Sequence, residues 1–220
     1  LSRLVPAANR FPSAADGKGF APLAEYVHSL GLKFGIHIMR GIPRQAVHRN
    51  TPIDCEGKTA RNIAATASIC RWNTDMYGVN TDAEGAQEYY DSIFRLYAEW
   101  GVDYVKVDDI ANHYPHAEIE MINRAIKHSG REMVLSLSPG PAPLEEAEHL
   151  KQYANMWRIT DDFWDKWELL YDMFSRAEKW CTHSGNGHWP DADMLPVGAI
   201  LQDYGKENRT KFTEDEQYTM

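Results

Sequence analysis

Carboxylates sit beside cations and aromatic rings in three short stretches. These are Lys106-x-Asp108-Asp109, Trp157-Arg158 followed by Asp161 and Asp162, and Trp189 followed by Asp191 and Asp193. His37 and Arg40 form a basic place upstream, and Ser136 and Ser138 a hydroxylated one between the first two acidic stretches. A carboxylate that stays ionised and a second one able to carry a proton are what hydrolysis of a glycosidic bond requires. Tryptophans suit the apolar faces of sugar rings, and charged groups suit their hydroxyls. The same carboxylates could instead hold Mg²⁺ with Lys106 as a base, or bind a sugar without cleaving it. Taken alone, Lys106 and Asp108 also have a plain structural reading, as a pair that neutralises itself in a core.

Each stretch falls where a strand gives way to a loop. In VDYVKVDDI (residues 102–110), Val102, Tyr104, Val105 and Val107 suit a parallel strand covered on both faces. Alternation across that strand points Lys106 and Asp108 the same way, and sends Asp109 to the other face or into the following loop. Further strands are predicted over 32–39, 132–138 and 155–162, with a short strand end at HWPDADML. Between them, helical stripes run through Leu23, Tyr26, Val27 and Leu30, through Tyr90, Ile93, Phe94 and Tyr97, through Ile119, Ile122 and Ile126, over 144–154, and through Leu169, Leu170, Met173, Ala177 and Trp180. Gly31, Gly101 and Gly130 stand where the first three should stop. Thr213 with Glu216 resembles a capping box opening one more helix. Residues 40–85 form a polar excursion too long for a connector, which predicts a functional role.

Alternating strands and helices argue a parallel sheet with crossover helices. No G-x-G-x-x-G or phosphate-loop pattern supports an open doubly wound sheet, so a (β/α)₈ barrel is preferred. A whole barrel takes about 250 residues, and five strand units in 220 leave roughly three unaccounted for, so the expectation is an incomplete barrel.

Composition narrows the partners. A formal net charge of −9, from 32 acidic and 23 basic residues, argues against nucleic acid or an anionic membrane as partner and favours a neutral ligand. No segment is long and apolar enough to read as a membrane-spanning helix. Cys55, Cys70 and Cys181 lack metal-site spacing and read as packed thiols, although one Cys55–Cys70 bridge is open to them. The first residues show neither an initiating Met nor a signal-peptide pattern and look trimmed, and Asn208-Arg209-Thr210 is a glycosylation sequon that often arises by chance.

The runs RFPSAADGKGFAPLAEYVHSLGLKFGIH, GVDYVKVDD, NMWRITDDFWDKW and GHWPDADML resemble, in order, the catalytic barrel of glycoside hydrolase family 27, the α-galactosidase and α-N-acetylgalactosaminidase family of the melibiase clan. The resemblance implies that residues 32–38, 104–108, 133–138, 156–159 and the region around Trp189 are barrel strands three to seven. Strands one, two and eight, and the family's C-terminal β-sandwich domain, would then be absent. It implies a retaining double displacement with Asp108 as nucleophile and Asp162 as general acid and base, Asp161 being the close rival because T-D-D departs from the commoner wording. Lys106 would bind sugar hydroxyls and lower the pKa of Asp108. Arg158 would grip the sugar near its 2-position, Asp191 would orient the arginine and the acid, and Trp189 would belong to the substrate site. His37 would lie beside the sugar where relatives often carry tyrosine. Ser138 would face the sugar's second carbon, where serine leaves room for an acetamido group, although Pro139-Gly140-Pro141 departs from both family patterns. The substrate implied is an α-galactoside or a related carbohydrate, with no metal and no organic cofactor needed. A secreted or periplasmic setting would follow from the family, while oligomeric state is left open.

Overall fold

The computed structural model describes residues 1–202 and 206–220, with the side chains of all of these except 201, 202, 206 and 207. In chain order the regular elements are α1 (Ala21–Ser29), β1 (Gly35–Met39), β2 (Ile42–Pro43), α2 (Arg44–Arg49), α3 (Ala60–Ile63), β3 (Ala64–Ile69), β4 (Met76–Val79) and α4 (Ala86–Glu99). They continue with β5 (Tyr104–Asp108), α5 (His116–His128), β6 (Val134–Leu137), α6 (Ala147–Tyr153), β7 (Met156–Arg158), α7 (Trp167–Trp180), β8 (Trp189–Asp191), β9 (Ala199–Gln202), β10 (Lys206–Arg209) and α8 (Glu214–Thr219).

Five strands make the main sheet in the order β1-β5-β6-β7-β8, every neighbouring pair parallel. The order runs one way along the sheet without turning back. A doubly wound sheet reverses its strand order at a switch point, so this is the progression of a barrel. Because side chains alternate, the register sorts them into two sets. Val105, Val107, Leu135, Leu137 and Trp157 are buried against the helices, where Phe94 of α4, Ile119 and Ile122 of α5, and Leu150 of α6 complete the core. On the other face, His37, Lys106, Ser136, Met156 and Trp189 fall in one row across all five strands. Met39 and Asp108 pair one step nearer the carboxyl end, as do Arg158 and Asp191 on the far side.

The glycine stops act as the sequence predicts. Gly31 and Gly101 adopt φ of +74° and +77° one residue past the caps of α1 and α4. Each turn is closed by two backbone bonds, Gly31 to His28 and Leu32 to Val27 in the first, Gly101 to Ala98 and Val102 to Tyr97 in the second. The predicted capping box is also present, with Thr213 Oγ1 accepting from the Glu216 amide and Glu216 accepting from the Thr213 amide.

Several boundaries move for identifiable reasons. The strand predicted over 32–39 begins at Gly35, because the Leu32 amide is spent on the α1 turn and the Phe34 amide donates to the Asp103 carboxylate at 2.8 Å. The strand predicted over 155–162 keeps only three residues, and the helix predicted over 144–154 opens with a short 3₁₀ turn, Leu144–Glu146. The polar excursion carries its own antiparallel sheet, ordered β2-β4-β3, which the pattern of small and polar residues in AATASI did not announce. The hairpin of β9 and β10, which holds the sequon residue Asn208, was likewise not anticipated. Cys55 and Cys70 are free thiols, so the bridge open to them is not formed. No helix among the described residues is long and apolar enough to cross a membrane.

At the amino end of the sheet, Asp103 clamps four segments. Its Oδ2 lies 2.7 Å from His28 Nε2 and accepts the Phe34 amide, while Oδ1 accepts from Arg131 Nη2 at 2.7 Å. Burial alone would raise this carboxyl, but the Phe34 amide, His28 and Arg131 outweigh it and bring its pKa down to about 2. A depressed carboxylate contributes stability that is complete above its unfolded value and disappears as pH falls through the folded one. We therefore expect Asp103→Asn to cost about 2 kcal/mol near neutrality and progressively less between pH 4 and pH 2. Urea midpoints across that range check it, and a pH-independent difference would refute the clamp.

Candidate active site

The carboxyl ends of the parallel strands bring together most of the predicted site residues. Asp108, the last residue of β5, has a carboxylate with three neighbours. Oδ1 accepts from the Asp109 amide at 3.0 Å and from Ser138 Oγ at 3.1 Å, and Oδ2 lies 3.3 Å from His37 Nε2. Burial pushes the Asp108 carboxyl up, but hydrogen bonds from His37, the Asp109 amide and Ser138, with the charge of His37, leave it below its ordinary value.

Lys106 stands apart from that carboxylate. The ammonium forms no ion pair among the described residues, and the imidazole of His37 is the group beside Asp108. The reason is geometric: two residues apart on an extended strand is about 7 Å, whereas His37 on β1 reaches across from the row next to Asp108. Lys106 shares the accessible face with Asp108, partly exposed and without a protein partner, as a group that binds hydroxyls would be. Ser138 is buried, so its hydroxyl serves the Asp108 carboxylate first. Ser136, in the same row as Lys106, is buried, and its hydroxyl has no hydrogen-bond partner among the described residues.

Two strands away, Arg158 ends β7. Its guanidinium is buried and holds two carboxylates, with Nη1 2.9 Å from Asp193 Oδ1 and Nη2 3.3 Å from Asp162 Oδ1. Asp162 is 62% exposed and is the acid tethered to Arg158; its neighbour Asp161 turns back to accept the Asp162 amide at 2.8 Å. The acid that contacts Arg158 from this stretch is Asp193 and not Asp191, and its other oxygen accepts the Phe163 amide at 2.8 Å. Asp191 spends its side chain on the Asp193 amide, at 2.9 Å, and its carbonyl on the Ile159 amide, also 2.9 Å. The sequence offered the D-x-D spacing but not the left-handed φ of +75° at Asp193 that turns this second carboxylate inward. Trp157 lies on the helix side, its ring 5.9 Å from that of Trp180, and so packs the core, whereas Trp189 is exposed on the Lys106 face.

Behind Asp108 the sequence reading placed Asp109 and Arg40 at strand ends without pairing them, and it missed Glu118. Asp109 does leave the strand for the loop, with φ of +61°, and is buried against Arg40; Arg40 also meets Glu118 of α5. Glu118 had a faint signal, since it lies four residues before Ile122 on the apolar stripe of α5, where an acid is out of place. Among the described residues no three His, Cys, Asp or Glu side chains stand close enough to hold a metal ion.

Known proteins share this fold. A solved GH27 β-L-arabinopyranosidase from Geobacillus stearothermophilus is 64% identical and superposes with a TM-score of 0.93, over 99% of this chain and 52% of that one. The family model described as alpha galactosidase A, of the melibiase type, matches residues 74–212. The chain belongs to glycoside hydrolase family 27. Among curated members, Alpha-galactosidase 2 of Arabidopsis thaliana is 26% identical over 89% of this chain and 40% of its own length. The α-N-acetylgalactosaminidase of Gallus gallus is 29% identical over 89% of this chain and 42% of its own. The chain thus spans about two fifths of these curated relatives. Family-27 membership agrees with the one-way strand order, and β1, β5, β6, β7 and β8 are the parallel strands of a (β/α)₈-barrel fold that the described residues contain.

The Arg158 geometry separates Asp193 from Asp191. Asp193→Ala should leave a buried guanidinium with one exposed partner and lower stability by about 3 kcal/mol, whereas Asp191→Asn, which keeps an oxygen for the Asp193 amide, should cost under about 1 kcal/mol. Denaturant midpoints of the two variants check this, and a reversed order would give Asp191 the orienting role.

Proposed function

We propose that the protein is a retaining glycosidase acting on pyranosides of α-galactoside configuration, with Asp108 as nucleophile and Asp162 as general acid and base. The observation that carries this is the contrast between the two carboxylates at one end of the sheet. Asp108 is enclosed by donors and held below the ordinary carboxylate range, as a group that must attack while ionised should be. Asp162 is largely exposed and touches only the edge of Arg158, so it has access to the leaving oxygen and to water. Double displacement then follows: Asp108 attacks the anomeric carbon while Asp162 protonates the leaving oxygen, and Asp162 next takes a proton from the water that releases the sugar. Retention needs the two carboxyls about 5–5.5 Å apart across the bound ring.

Lys106 and Trp189, in one row on the accessible face, supply a hydroxyl partner and an apolar surface for the ring. β-L-Arabinopyranose is α-D-galactopyranose without the C6 hydroxymethyl group, so both glycosides present one ring configuration to these residues. The identity to the β-L-arabinopyranosidase favours the pentoside as the better substrate. Because the Ser138 hydroxyl is engaged with Asp108, a 2-acetamido sugar is expected to be the poorest of the three.

The full-length protein should be assayed on the 4-nitrophenyl derivatives of these three sugars, with the first-formed anomer followed by NMR. Asp108→Asn is expected to lower turnover on the order of 10⁴-fold or more, and the first product should keep the substrate's anomeric configuration. An Asn variant with wild-type turnover would remove the nucleophile assignment, and inversion would remove the mechanism. His37→Phe takes away a donor that lowers the Asp108 pKa, so the acid limb of kcat/KM should move to higher pH; a limb that stays in place or moves lower would contradict the role of His37.

A further inference from the structure

Behind Asp108 lies a set of charges that the proposed reaction does not use. Arg40, one residue past β1, is buried, and so are Asp109 and Glu118. The guanidinium grips Asp109 twice, Nε donating to its main-chain oxygen at 2.7 Å and Nη2 to its carboxylate at 2.8 Å. Nη1 donates to Glu118 Oε2 at 3.1 Å. The other Glu118 oxygen accepts from the Tyr90 hydroxyl of α4 and from the Val79 amide of β4, the latter at 3.3 Å. Tyr90 in turn accepts the Gly41 amide at 3.2 Å. Hydrocarbon of the same volume could fill such a space without the penalty of desolvating three charges, so packing alone does not account for them.

Their role is visible at Asp109. Its left-handed backbone is one that few residues besides glycine, asparagine and aspartate adopt, and in that conformation its amide points back at Asp108 Oδ1. Both ends of Asp109 are tied to one guanidinium, and the Arg40 amide also donates to the Asp108 carbonyl at 3.0 Å. We propose that Arg40 and Glu118 are positioning residues for the nucleophile: held by Glu118 and Tyr90, Arg40 locks the turn whose amide aims the Asp108 carboxylate. The proposal rests on Asp108 being the nucleophile. Gly78 of β4 belongs to the same device, since a Cβ there would meet Arg40 Nη1 at 2.5 Å.

The charged and titratable groups facing Asp108 are His37 on β1, Lys106 on its own strand, and Asp109 with Arg40, Cys70 and His113 behind it, with Arg158, Asp162 and Asp193 two strands away. Loss of the Arg40 grip weakens the Asp109 donor while leaving His37 and Ser138 in place, so the Asp108 pKa should rise.

The test uses the full-length protein and four variants, Glu118→Gln, Arg40→Lys, Gly78→Ala and the milder Tyr90→Phe, with Asp108→Asn alongside. Glu118→Gln and Arg40→Lys should lower kcat by about 10- to 100-fold with KM nearly unchanged, and should move the acid limb of kcat/KM to higher pH. Gly78→Ala and Tyr90→Phe should shift both in the same direction by less, and they keep the test open if the first two unfold. A purely structural network would lower the melting temperature while leaving the kcat of the folded fraction and the acid limb at wild-type values. That result, with Asp108→Asn inactive, would overturn the positioning role alone. Wild-type turnover in Asp108→Asn would overturn the nucleophile assignment and this proposal with it.

Discussion

The hydrogen-bond ladder between β1 and β5 is the contact on which the rest of the site depends. It sets His37 opposite Lys106 and Met39 opposite Asp108, and it runs one bond further, from the Arg40 amide to the Asp108 carbonyl. A slip of one residue would send every side chain of β1 to the other face. His37 would leave Asp108, and Arg40 could no longer enter the buried space beside Asp109 and Glu118. The hydrophobic layer enforces the register, because Val105 and Val107 can be buried only when Lys106 and Asp108 face away from the helices.

Two arginines divide the electrostatic work. Arg40 is enclosed with Asp109 and Glu118 at the end of β5, and Arg158 with Asp193 and Asp162 at the end of β7. In each case a buried guanidinium holds a loop carboxylate, Asp109 or Asp193, and its planar set of donors lets it reach a second acid at the same time. Lysine occupies a different kind of place, on the open face of the sheet, where a single flexible charge can meet a ligand.

How far the sequence could be read follows from how local each feature is. The K-x-D pair lands on one face because strand alternation is a local rule, and the stops at Gly31 and Gly101 are legible because few other residues take that turn. The small sheet of the excursion was hidden, since its two-residue strand and its alanine-rich one lack any run of β-branched residues. The contact of Asp193 with Arg158 depended on one left-handed residue in a loop, and the pairing of Arg40 with Glu118 on a contact between segments 78 residues apart. The contact of His37 with Asp108 likewise came from across a strand pair rather than along one.

The two carboxylates also differ in freedom of movement. Asp108 is held through both oxygens, while Asp162 keeps one long bond and an open side. With the roles proposed, the atom that must meet a carbon along a single line of approach is clamped. The one that exchanges protons with the medium can swing. Departing alcohols of different bulk could then be accommodated at the mobile carboxylate without disturbing the fixed one, so selectivity would reside in the ring that is retained rather than in the group that leaves.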